Sequence, residues 1–186
     1  MPQISSICVF CASSSNVAPK FLDAAASFGK LCADAGITVV FGGGRVGLMG
    51  SLADAALAAG GDVIGVIPDF LDDVEIAHRG TTEIFITKDM HERKAKMSEL
   101  ADAFVILPGG IGTLEEFFEV MTWKQLGQID KPIVIANLYS YWQPIVDLLD
   151  HMTEEAFLRP EHRSIVEVVN CFEMVLPIFG ILEPDK

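Results

Sequence analysis

The chain has 186 residues, 13 basic against 26 acidic, and a formal charge of −13. That length suits one domain, residues 1–186, with a proper core, and 51% apolar against 21% charged residues excludes intrinsic disorder. The acidity excludes general electrostatic binding to polymeric nucleic acid or anionic membrane, so any bound anion must be small and held locally.

The first predicted strand, Ser6–Phe10, runs into Cys11-Ala12-Ser13-Ser14-Ser15, a serine run that reads as a cap or turn with hydroxyls able to donate to a phosphate. Phe21, Ala25, Phe28, Cys32 and Ala35 recur at helical spacing and stop at Gly36. A strand over Thr38–Phe41 opens on a glycine-rich segment, Gly42 to Gly50, and further strands are expected at Val63–Ile67 and Ile84–Thr87. After a helix from about Met90 to Ala101, the strand Phe104–Leu107 opens on Pro108-Gly109-Gly110-Ile111-Gly112-Thr113. Leu114, Phe117, Phe118 and Met121 then repeat at helical spacing, and Ile133–Ala136 reads as the sixth strand. From about Asp150 the pattern predicts helices packed on a sheet edge. Strands apolar on both faces, alternating with helices, predict an α/β fold, a Rossmann-like doubly wound parallel sheet flanked by helices on both faces.

Both glycine segments follow a strand and open a helix, where glycine allows close backbone approach and the helix aims free N–H groups at an anion. Either alone can be only turn geometry; two at one sheet edge point to a phosphate-bearing ligand. Gly42, Gly44 and Gly47 also satisfy G-x-G-x-x-G, which raises a nicotinamide-dependent oxidoreductase as a rival. No Gly-Lys-Ser/Thr phosphate loop and no G-x-S-x-G elbow is present.

The helix from Met90 carries charges in costly places. Asp89 and Glu92 fit a capping arrangement, and Met90, Met97, Leu100 and Ala101 form the apolar stripe. Arg93 falls on that stripe and Lys94 beside it, so either their stems snorkel to the rim or both cations point into a cleft and hold an anion. Glu116 is either half of a capping box with Thr113 or, off the apolar stripe one turn from the glycine loop, a carboxylate placed to orient a water or stabilise a developing cation. Cys8 and Cys11 form a C-x-x-C within and beyond a strand, which reads as packing rather than redox chemistry. The histidines show no ligand spacing, so no metal and no cofactor is expected. The run Ile4–Ala12 is too short for a signal-peptide core, and four cysteines are too sparse for a disulfide scaffold; the expectation is a soluble, cytoplasmic protein.

Met90-His91-Glu92-Arg93-Lys94 followed by Pro108-Gly109-Gly110-Ile111-Gly112-Thr113-Leu114-Glu115-Glu116 resembles the paired signature of the LONELY GUY family, cytokinin-activating nucleoside 5′-monophosphate phosphoribohydrolases. The likeness extends over roughly Ile4 to Val168, with Cys-Ala-Ser-Ser in place of a common Cys-Gly-Ser-Ser and Ile111 where tyrosine is frequent. It implies hydrolysis of an N-glycosidic bond to free base and ribose 5-phosphate, with Arg93 and Glu116 as the catalytic pair. It further implies substrate binding by Glu75, Lys94, Gly110, Ile111, Gly112 and Thr113, with Gly43 and Gly44 from the other loop, and a homodimer with sites near the interface. Family members have often been labelled lysine decarboxylases, yet no pyridoxal-phosphate lysine site is recognisable. The competing readings are a general AMP nucleosidase and a non-catalytic nucleotide carrier, which would need the loops and Arg93 but not Glu116.

Overall fold

The structure, a computed structural model, describes residues 4–71 and 77–181. Seven strands form one parallel sheet in the order β4-β3-β2-β1-β5-β6-β7. They are β1 (Ser6–Phe10), β2 (Thr38–Phe41), β3 (Val63–Pro68), β4 (Glu83–Thr87), β5 (Ala103–Ile106), β6 (Ile133–Ala136) and β7 (Val166–Val169). The helices are α1 (Pro19–Asp34), α2 (Gly47–Ala58), α3 (Met90–Leu100), α4 (Ile111–Gln125), α5 (Gln143–Glu154), α6 (Pro160–Arg163) and α7 (Val175–Ile178). The doubly wound parallel sheet expected from the sequence is present.

Side chains alternate along each strand, and the central strand feeds two cores. Ile7, Val9 and Cys11 pack with α1 and α2 on one face; Cys8 and Phe10 pack on the other with Met97 of α3 and Phe117, Val120 and Met121 of α4. The odd spacing of the C-x-x-C therefore sends its thiols to opposite faces, where they cannot pair. Burial holds both thiols well above the usual cysteine range.

β7 is the element the sequence reading lacked. Val166-Glu167-Val168-Val169 pairs in parallel with β6 at the sheet edge, in a stretch read as helical from about Asp150. Among the described residues there, α5, α6 and the short α7 are α-helical and Phe172–Met174 form a 3-10 turn; the β-branched run was the available signal, obscured by Glu167, which an exposed edge tolerates.

The first strand is fastened to its later neighbour by Asp102. Its carboxylate accepts from the Ser5 and Ser6 amides at 2.9 and 3.1 Å and from their hydroxyls at 2.9 and 3.0 Å. Burial raises the carboxyl pKa, but these four hydrogen bonds outweigh it and hold Asp102 below the usual carboxylate range.

Candidate active site

β1 lies between β2 and β5, and the chain leaves β1 and β5 towards opposite faces, into α1 and α4. A crevice opens at such a switch point, beyond the carboxyl ends of the strands. It holds a cavity of about 260 Å³. Val9, Phe10 and Cys11 supply the β1 side, Ser13 and Ser14 the following loop, Gly42 the loop after β2 and Met49 the first turn of α2. Gly110, Ile111, Gly112, Thr113 and Glu116 supply the α4 side, and Arg93 comes from α3. Backbone bonds knit the loops: Leu107 N donates to Phe10 O at 3.0 Å, Ala12 N to Pro108 O at 3.2 Å and Met49 N to Ala12 O at 3.3 Å.

The two glycine loops meet different fates. At α2 the Gly47 N–H is given to the Ser15 hydroxyl at 3.1 Å and the Met49 N–H to Ala12 O, so the serine run caps this helix. That occupies the donors a G-x-G-x-x-G pyrophosphate site needs. Gly43 and Gly44 do not line the cavity. The Gly43 carbonyl accepts from the His78 amide at 2.8 Å and Gly44 bridges Ala77, so both support the segment after β3. Gly42, next to them, is the member that reaches the cavity.

At α4 the first helical bond runs from Leu114 N to Gly110 O, which leaves the Ile111, Gly112 and Thr113 amides ahead of it. A side chain added at Gly110 or Gly112 would meet no protein atom within 4 Å. At Gly109 the added carbon would fall 2.0 Å from the Thr113 hydroxyl oxygen; that glycine lets the Thr113 side chain tuck beneath the loop. Helix α4 begins at Ile111 with Gly110 as its N-cap, so Thr113 and Glu116 are its third and sixth residues and form no capping box. Glu116 is buried on the same side as Thr113, Phe117 and Val120, not off the apolar stripe as the spacing suggested.

Arg93 is seated by main chain. Its Nε donates to Val66 O at 3.2 Å and Nη2 to Gly42 O at 3.3 Å, and Nη1 faces Glu116 Oε1 at 3.4 Å. Both members of the pair are 7% exposed, so each buried charge has the other as counter-charge. The close passage of the guanidinium is why position 42 is glycine: a Cβ there would lie 2.1 Å from Nη2. Asp89 caps α3 by accepting from Glu92 N at 2.8 Å; Glu92 reaches back to the Lys88 amide at 3.0 Å. The capping arrangement is therefore present one residue displaced on its return arm.

Lys94 points elsewhere. Its ammonium is buried between α3 and α4, bonded to Glu115 and 3.0 Å from Glu119. Burial favours loss of its proton, but the two carboxylates outweigh that and raise its pKa above the ordinary lysine value. The expected anion ligand beside Arg93 is instead an ion-pair bolt between helices. Glu75 lies outside the described residues. The cavity also takes in Ser13, Ser14, Gly42 and Met49, none of them among the expected site residues; the serine run and the G-x-G-x-x-G glycine Gly42 each carried a legible hint, and Met49 carried none.

Residues 49–178 match a family model described as "Possible lysine decarboxylase". A cytokinin riboside 5′-monophosphate phosphoribohydrolase of Rhodococcoides fascians is 44% identical over 184 residues, 98% of this chain and 92% of the relative. A probable enzyme of the same name from Oryza sativa subsp. japonica is 45% identical over 86% of this chain and 72% of its own length. Among solved structures, the molybdenum cofactor carrier protein of Chlamydomonas reinhardtii matches with a TM-score of 0.69 at 20% identity, over 96% and 98% of the two chains. The molybdenum cofactor binding protein of Rippkaea orientalis matches with a TM-score of 0.71 at 18% identity, over 97% and 98%. At those identities the two structures share the fold.

Proposed function

We propose, from the premise that this chain belongs to the LONELY GUY family, that it hydrolyses the N-glycosidic bond of cytokinin riboside 5′-monophosphates to adenine-type base and ribose 5-phosphate. The observation that carries the reading is the buried Arg93–Glu116 pair lining the same cavity as the open start of α4.

In this reading the phosphate sits against the Ile111, Gly112 and Thr113 amides and the Thr113 hydroxyl, where the helix terminus favours an anion. That anchors the ribose over Glu116 and supplies remote binding energy for its orientation. The bond from the anomeric carbon to the base breaks with its electron pair going to the base nitrogen, which takes up a proton from solvent in balance with the one that the attacking water releases. Glu116 stabilises the oxocarbenium charge and orients the water that attacks the anomeric carbon. Arg93, committed to two carbonyls, acts chiefly by fixing the Glu116 carboxylate, which favours this role over phosphate capture. Glu75 remains a substrate-binding residue on the strength of the resemblance. Among the described residues, those that line the cavity include no lysine, the side chain that pyridoxal-phosphate decarboxylation requires.

The whole chain, residues 1–186, acts as one nucleotide-binding unit. The same reading makes it a homodimer, burying exposed apolar side chains against a second copy, foremost Ile111 at the mouth, which is 82% exposed. Four free cysteines suit a reducing, cytoplasmic setting, and no described helix is long and apolar enough to cross a membrane.

The test is incubation with AMP and isopentenyladenosine 5′-monophosphate, with the unphosphorylated ribosides as controls, separating products by chromatography. Free base from the monophosphates alone is expected, with relative rates separating hormone activation from general nucleotide cleavage. Glu116→Gln should bind nucleotide normally and lose at least ~100-fold in turnover. Full turnover in that variant would remove Glu116 from the chemistry, and tight binding without any product would favour a carrier.

A further inference from the structure

Two consecutive residues other than glycine adopt the left-handed backbone region after β6: Tyr139 at φ 57° and Ser140 at φ 59°. Such strain persists only where the surroundings enforce it, and it gathers at functional sites. Here it turns the chain so that Tyr141 points back at the glycine loop, its hydroxyl donating to the Gly109 carbonyl at 2.6 Å. The tyrosine ring is held edge-on by Phe21 at 5.5 Å and Trp142 at 4.8 Å between centroids. Phe21 also braces Tyr139, and the Asn137 side chain fixes the loop by accepting from the Trp142 amide at 2.8 Å. The whole segment is thus a buttress aimed at one peptide group.

That peptide joins Gly109 to Gly110, and with glycine on both sides little else sets its rotation. A trans peptide is planar, with C=O and N–H pointing opposite ways. Fixing the carbonyl on Tyr141 therefore fixes the Gly110 N–H in the opposite sense, and Gly110 lines the cavity. We propose that Tyr141 is a positioning residue for the phosphate site: it holds the 109–110 peptide so that the Gly110 N–H joins the α4 amides as an anion donor. The inference rests on the phosphate placement proposed above. It adds a donor from outside the helix and a residue, remote in sequence from the signature motifs, that orients it.

Tyr141→Phe keeps the ring contacts and removes only the hydroxyl. Its KM for a nucleoside 5′-monophosphate should rise about tenfold with kcat within threefold, the scale of one lost hydrogen bond. Ribose 5-phosphate and inorganic phosphate, measured by calorimetric titration or as inhibitors, should weaken by the same factor. Binding of the unphosphorylated riboside should not change, a distinction that a general loss of packing would not produce. Tyr141→Ala serves as the control for packing, expected to lower the melting temperature as well. Equal phosphate affinity in wild type and Tyr141→Phe would overturn the proposal. Failure of the wild-type protein to distinguish monophosphate from riboside would instead overturn the phosphate placement.

Discussion

Substituting Gly42 by alanine tests the seat of Arg93 more sharply than removing the arginine, because it leaves both charges in place. The new Cβ would lie 2.1 Å from Nη2 and 3.1 Å from Met49 Sδ, where ordinary contact begins at 3.4 Å. The guanidinium must retreat by about 1.3 Å, and it cannot do so freely, since Nε is bonded to Val66 O and Nη1 faces Glu116. The bond from Nη2 to Gly42 O is lost, at roughly 2 kcal/mol for a charge-assisted donor, or about 4–8 °C in melting temperature for a chain of this size. Glu116 follows its partner, and a misplacement of about 1 Å at a reacting group costs about 100-fold in rate. Steady-state kinetics on a nucleoside 5′-monophosphate, with a thermal melt on the same preparation, should give kcat about 100-fold down and KM little changed. A Gly42→Ala protein with kcat within twofold of wild type would refute the argument that backbone seating of Arg93 sets the geometry of the pair.

Lys94→Met removes the bolt between α3 and α4 and leaves Glu119 partly buried without its cation; the melting temperature should fall by several degrees while affinity for inorganic phosphate stays unchanged. Loss of phosphate binding there would return Lys94 to the role of anion ligand. Because its folded pKa is raised, its stabilisation is complete below the unfolded lysine value and disappears as pH rises through the folded one, so the gap between wild type and variant should close in strong alkali. Asp102→Asn works at the other end of the scale. The folded carboxyl pKa is lowered, so its contribution is present above the unfolded value of about 3.9 and lost as pH falls through the folded one. Melting temperatures should differ near pH 7 and converge as the pH falls through the lowered folded value; a constant gap would show that shape rather than charge matters at this position.

Period and punctuation made most of the fold legible. Strands apolar on both faces and helices ending at glycine gave six of the seven strands and the winding, because a parallel sheet covered on both sides imposes that pattern. Edge strand β7 escaped because half of it faces solvent. At the site, Glu116 stood out by its place one turn from the glycine loop, whereas Arg93 was visible because a charge at a helix-core position violates the pattern. The partner of Lys94 was not, since a cation beside a stripe looks the same whether it faces an anion or two carboxylates on the next helix. Nor could spacing separate Gly42 from Gly43 and Gly44; only the path of a guanidinium 51 residues away distinguishes them.

The position of β1 in the sheet has a consequence during synthesis. Its first neighbour, β2, emerges from the ribosome soon after it, but the second, β5, begins next to Asp102, 97 residues beyond Ser5. At about 5–20 residues per second the interval is on the order of 5–20 s. Throughout it, a nascent chain with strands β1 to β4 presents Ile7, Cys8, Val9 and Phe10 along an open edge that the finished protein buries completely. An unpaired, uncharged edge of this kind invites pairing with other chains. Val9 and Phe10, which line the cavity in the finished protein, thus lie on an edge that stays open until the second half of the sheet arrives.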